Sequence, residues 1–272
     1  MNAADRFLII LAMPRSGTHF LRSALSKGAD IVNLDEPFNP DLSRKLKFSF
    51  VRFLRDRMRK GTGWRLDAAT AGKALDDFFG TMAEHAPDRR LLVDIKDEQL
   101  RIADWPPSPV AGPPRLLSFI MDSGLPVVRV TRRDLLAQYA SYELATQSGR
   151  WASNQEPGRH QRDISALRID PEKAIRHMKD VVADDAAVEN WLAGYPHLLR
   201  LTYEELIDGG RLSDAARQGI ERLAGMAISG DTVPEPEKMA PQLRDLVTNL
   251  DEVLDALSKT NLSHYGELHR RS

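Results

Sequence analysis

Short unbroken apolar runs alternate along this chain with longer stretches in which apolar residues recur every three or four positions. Runs of the first kind suit strands buried on both faces, and stretches of the second suit amphipathic helices. Strands are expected at 6–13, 31–34, 91–95, 126–131 and 197–201, and helices at 17–27, 70–86, 115–123, 134–147 and 171–193. A helix over 42–60 follows from Leu42, Leu46, Phe50, Phe53 and Leu54, with basic residues on its other faces. Pro171 is well placed in the first turn of the helix it opens. Another helix opens at Tyr203–Ile207, and helices at about 213–226 and 241–258 close the chain. Prolines keep 35–40 (DEPFNP) and 104–114 (DWPPSPVAGPP) irregular, and the polar stretch 148–170 is expected to be a mobile loop.

Strands alternating with helices predict an α/β fold, a central parallel sheet flanked by helices on both faces. The 272 residues are expected to form one domain, with a helical C-terminal part from about 210. Ligands of such sheets bind beyond the carboxyl ends of the strands. Those ends carry Pro14–Thr18, Asp35–Glu36, Lys96, Arg132–Arg133 and Tyr203. Core packing does not require charged groups there, so their convergence points to a site.

Composition narrows what that site can be. The formal net charge is −1, so no overall field draws nucleic acid or an anionic membrane, and an anion site must be local. With no cysteine, disulfides and thiolate metal centres are excluded, and a reducing, cytoplasmic location is expected. Phe7–Met13 is too short to span a bilayer, and no stable membrane anchor is expected. The basic residues from Arg44 to Lys60 read as a solvated helix face, or as a basic wall facing a substrate.

The stretch LIILAMPRSGTHFLR (8–22) reads as strand, tight turn and helix, which leaves N–H groups aimed at an anion. Arg15, Ser16, Thr18 and His19 add side-chain donors. Against the triphosphatase loop G-x-x-x-x-G-K-[ST], the frame falls on Ala12, Gly17, Thr18 and His19. Threonine stands for the lysine that reaches the phosphates, and histidine for the hydroxyl that holds Mg²⁺. The loop is thus P-loop-like but poorly built for a magnesium triphosphate. Further along, VTRRDLLAQYAS (130–141) sets an arginine at a strand end and a serine eight residues later, able to hold one phosphate between them. Together these features favour a ligand with two phosphate positions, used without metal.

At these residues the chain resembles the sulfotransferases that use 3′-phosphoadenosine 5′-phosphosulfate (PAPS). PRSGTHFL is similar to their 5′-phosphosulfate loop, RRDLLAQYAS to their 3′-phosphate segment, and LLRLTYEEL to a later strand-then-helix element. The likeness is nearest to bacterial carbohydrate sulfotransferases of the trehalose and nodulation-factor type, and extends to LLVDIKDEQ, SGRW and QLRDLVTNLDEVLDAL. The resemblance implies transfer of a sulfuryl group from PAPS to a hydroxyl of a carbohydrate or glycolipid, leaving PAP and needing no metal. It implies that Pro14, Arg15, Ser16, Gly17, Thr18 and His19 line the 5′ side. Arg133 and Ser141 would hold the 3′-phosphate, with Arg132 as competitor and Tyr203 bordering the nucleotide. Glu36 falls where such enzymes place a carboxylate base, and Lys96 near the transferring group; Glu98 and Asp35 are rival acids.

The glycine-rich C-terminal nucleotide motif of the aryl and steroid branch is absent. The adenine cover is therefore sought in 148–170 or near Lys238. Phe38, Trp105 and Trp151 are candidates to stack on a sugar or base, although isolated aromatics more often pack, and His160 has no argued role. The partner expected is a small-molecule or glycan acceptor. The alternatives are a P-loop nucleotide kinase, which should need Mg²⁺ and ATP, and a PAP-binding homologue without catalysis.

Overall fold

The computed structural model describes residues 6–61, 67–104, 112–149, 166–229 and 242–270. In chain order the elements are β1 (Phe7–Ala12), α1 (Thr18–Gly28), β2 (Ile31–Asn33), α2 (Phe50–Lys60), α3 (Ala68–His85) and β3 (Arg90–Lys96). A 3-10 helix (Asp97–Ala103) leads to α4 (Arg115–Asp122), β4 (Val127–Thr131), α5 (Leu135–Ser148), α6 (Pro171–Trp191) and β5 (Leu198–Thr202). Then come α7 (Tyr203–Leu206), the hairpin β6 (Ile207–Asp208) and β7 (Arg211–Leu212), α8 (Asp214–Ala224), α9 (Leu243–Leu246), α10 (Leu250–Ser258) and α11 (Ser263–Arg270).

The five main strands form one sheet in the order β2-β3-β1-β4-β5, every pair parallel. All six residues of β1 are buried, and the strand's period of two sends them to opposite layers. Phe7, Ile9 and Leu11 join Phe78, Leu117 and Ile120 of α3 and α4; Leu8, Ile10 and Ala12 join Leu21 and Leu25 of α1 and Ile220 of α8. The α/β architecture with helices on both faces is therefore present. A third apolar cluster binds α5, α6 and α10 beside the sheet, through Tyr139, Met178 and Leu254 among others.

The same alternation buries charges. On β3, Asp94 and Lys96 share the face of Leu92, toward α1. On β4, Arg129 points to the opposite face from Val128 and Val130. There the wholly buried Arg129 donates through Nη1 and Nη2 to both carboxylate oxygens of Asp97, at 2.5 and 2.9 Å, and through Nη2 to Asp185 of α6 at 2.7 Å.

Three expected elements differ. The helix expected over 42–60 begins only at Phe50, because Asp41 draws the N–H and hydroxyl of Ser43 into a local turn and Ser49 caps α2 instead. The expected helix 241–258 is two, α9 and α10. Leu167 pairs with Val247, and the Asn249 side chain binds both the N–H and the carbonyl of Ile169, breaking the run. The start of the expected loop 148–170 ends α5, Leu167 and Ile169 near its end are held in that pairing, and Asp170 caps α6; the part from 150 to 165 lies outside the described residues. Among the described residues no helix is long and apolar enough to cross a membrane.

Candidate active site

The strand order makes β1 and β4 neighbours whose connections leave in opposite directions, so a crevice opens at their carboxyl ends. The turn after β1 lies there. Its carbonyls are tied inward one after another. Met13 accepts from the buried hydroxyl of Ser16 at 2.7 Å, Pro14 from the Gln138 amide at 2.7 Å, and Arg15 from Arg132 Nη1 at 3.2 Å. With the carbonyls engaged, the N–H groups of Gly17 and Thr18 at the open end of α1 donate to no other described residue. That is the arrangement an anion can complete.

Backbone strain marks the same edge. Among the described residues the only non-glycine positions with positive φ are Arg15 (63°) and Asp35 (60°), one after β1 and one after β2. Such conformations persist where surrounding structure enforces them, and they gather at functional sites. Gly17 has φ 80°, and a Cβ there would stand 2.5 Å from the ring of Tyr203, so no side chain fits. Tyr203 also carries the Arg132 guanidinium on its ring, 4.7 Å from the centroid. The tyrosine therefore packs the turn from the β5 side.

The cation missing at position 18 arrives from another strand. Lys96 Nζ donates to the Thr18 hydroxyl at 2.6 Å and to Asp94 at 2.5 Å. Asp94 is fully buried and lies 3.3 Å from Arg22 Nε, while Arg22 Nη1 pairs with Asp35 at 2.5 Å. This chain of charges joins α1, β3 and the loop after β2, where it ends on Asp35, the residue before Glu36.

Glu36 accepts from Asn39 Nδ2 at 2.8 Å and from Arg44 Nη1 at 2.7 Å. Burial alone would raise its pKa, but Lys96, Arg44, the Asn39 bond and Arg22 together outweigh it and hold the carboxyl at about 2. Glu98, at the start of the 3-10 helix, goes the other way. Although its side chain reaches solvent, the surrounding protein, and then the charge of Glu36, push its pKa up. Two carboxylates near one lysine are thus driven apart, a pattern that often separates acid from base roles.

Most of the expected residues meet at this edge. Ser141, on the second turn of α5, accepts from Arg15 Nε at 3.0 Å, so it faces the turn. His19 lies in the first turn of α1, half-buried. Arg133 is different. Its guanidinium is exposed and pairs with Glu205, and its N–H and that of Asp134 are taken by Glu204. The eight-residue spacing favours Arg133, but the backbone after β4 turns Arg132 inward. Arg132 Nε is buried and unbonded among the described residues. Phe38 is corrected outright: it is fully buried against Phe50, Phe78 and Phe79 and cannot stack on a ligand. Trp105, Trp151, His160 and Lys238 lie outside the described residues. The buried partner Asp94 escaped the sequence reading; a lone acid in a strand of apolar residues, two before Lys96, is the signal that could have found it.

Neither a family model nor a curated protein matches the chain. Solved structures are similar to it. One is the sulfotransferase domain from the curacin biosynthetic pathway: 15% identity, TM-score 0.42, covering 80% of this chain and 72% of that one. Another is mouse sulfotransferase SULT7A1 complexed with PAP: 10% identity, TM-score 0.42, covering 100% and 90%. A third is a GTPase in apo form from Pyrococcus abyssi: 12% identity, TM-score 0.34, covering 82% and 97%.

Proposed function

We propose that the chain transfers a sulfuryl group from PAPS to a hydroxyl of a carbohydrate or glycolipid acceptor, without a metal. The observation that carries this reading is the meeting of Arg15, Lys96 and Arg132 around a turn with open N–H groups, with an ionised carboxylate at the same edge. The turn fits an anion by its free donors, and Arg132 Nε adds an unused buried one. PAPS would supply the sulfuryl group and, in its nucleotide phosphate, a good leaving group.

The chain's own residues divide the remaining work. Arg15, the helix end and Ser16–Thr18 hold the 5′ side. Arg132, with Ser141 opposite, takes the place at the second phosphate that spacing assigned to Arg133. Lys96 faces the oxygens on which charge builds as the bond to the leaving group breaks. Glu36 takes the proton of the acceptor hydroxyl, worth roughly 10²–10⁴-fold. At a pKa of about 2 it is ionised but weakly basic. An anion placed against Lys96 neutralises the cation that most lowers that pKa, so loading the site strengthens the base. Glu98 is the second reading, favoured by its raised pKa: a carboxylate nearer neutrality is the better proton acceptor.

The test is titration calorimetry with PAP in metal-free buffer, followed by sulfate transfer to a panel of sugars and glycolipids. Micromolar PAP binding and transfer to a hydroxyl support the proposal. Stabilisation by Mg²⁺–ATP and not by PAP would replace it with a nucleotide kinase, and PAP binding with no transfer to any acceptor would leave a binding protein.

A further inference from the structure

The segment 41–60 carries eight lysines or arginines and two aspartates, in a chain whose formal net charge is −1. Some of these cations are spent inside the fold. Arg57 pairs with Asp77 at 2.5 Å, Arg52 donates to the Arg44 carbonyl, and Arg44 holds Glu36. The others face outward. Lys45, Arg59 and Lys60 are exposed and make no ion pair or hydrogen bond to a described residue, and the nearest acid to Arg55 is Asp56 at 3.9 Å. Lys47 meets His85, another basic group.

A second observation falls on the same segment. Among the described residues three large apolar side chains are well exposed, and two of them, Leu42 (43%) and Met58 (52%), lie here among the unpaired cations. A solvated basic surface needs no exposed apolar group. Flexible aliphatic side chains beside lysine and arginine suit the boundary between headgroups and acyl chains. Surfaces for single-stranded nucleic acid use aromatic platforms instead.

We propose that the loop 41–48 and α2 dock the protein on an anionic lipid surface, the cations reading the headgroups and Leu42 and Met58 entering the interface. The proposal goes beyond the sulfuryl-transfer reading and stands without it. Where both hold, Arg44 links the docking face to Glu36, and an acceptor hydroxyl carried on a lipid is delivered beside the base.

Sedimentation with phosphatidylcholine vesicles, with and without phosphatidylglycerol, tests it on the whole chain. The protein should sediment with the anionic vesicles alone and be released by salt. Lys45→Glu, Arg59→Glu and Lys60→Glu combined should weaken binding roughly a hundredfold or more, since each basic residue near such a surface contributes about a factor of five. Met58→Ser should weaken it several-fold without changing the charge, and PAP binding should be unaffected in both variants. Equal sedimentation with neutral vesicles, no sedimentation with either, or full binding by the charge-reversed variant would overturn the proposal. So would binding of heparin through these cations without binding of vesicles, which would mark a soluble polyanion as the partner.

Discussion

Lys96 Nζ lies 2.6 Å from the hydroxyl of Thr18, the residue standing where triphosphatase loops carry their phosphate-reaching lysine. The positive charge absent from position 18 is supplied from the end of β3 and anchored by the buried Asp94. Lys96→Met should therefore lower turnover by about 10²–10³-fold, the effect of removing one preorganised donor from a developing charge. PAP affinity should fall far less, and single-turnover kinetics with labelled PAPS separate the two.

Arg132 and Arg133 are neighbours with opposite surroundings. Arg132→Ala should weaken PAP by about 10–100-fold, since a charge-assisted bond is worth about 1.5–3 kcal/mol. Arg133→Ala removes an exposed pair with Glu205 and should change PAP affinity by less than about threefold. Calorimetry decides it, and the opposite ranking would return the phosphate to Arg133.

The two carboxylates give opposite pH signatures. With Glu36 as base, the acid limb of kcat/KM stays below the ordinary carboxylate range, because the free enzyme holds this group at about 2. With Glu98 as base, the limb appears above that range. Glu36→Gln and Glu98→Gln should show the same choice, the true base costing roughly 10²–10⁴-fold in kcat.

Glu36 also links folding to pH. Its folded pKa lies below the unfolded value of 4.5, so it contributes stability above pH 4.5 that is lost as pH falls toward about 2. In urea unfolding, Glu36→Gln should flatten that acid slope by about 3 kcal/mol across the window.

Gly17→Ala meets two obstacles, a left-handed backbone and the Tyr203 ring. The backbone cost is about 1–2 kcal/mol. Adding Tyr203→Ala relieves the clash only, so thermal melting should show partial rescue and PAP binding should stay weak.

Sequence and structure agree where a local pattern carries the information. The unbroken run Phe7–Ala12 reads as a strand buried on both faces, and Pro14–Gly17 as the tight turn that leads from it into a helix. The charged strand ends meet at one edge because parallel connections leave them no other place. What was not legible depends on contacts between distant residues. Nothing near Arg132 or Arg133 says which turns inward; Tyr203 and Glu205, some seventy residues later, decide it. Phe38 looks like a loop aromatic until α2 and α3 close over it. The apolar spacing of 42–60 fits a helix, but Asp41 competes for the backbone at its start.

Arg129 has a consequence for how the sheet chooses its pairing. β4 reads VVRVT, and a strand of valines alone could slide against β1 with little loss, since neighbouring positions are nearly interchangeable. A slip of one residue would turn Arg129 away from Asp97 and Asp185 and leave a valine facing those acids. Misregistered chains would thus carry stranded charge on both sides of the mistake, and the one arginine acts as a proofreading device for the strand.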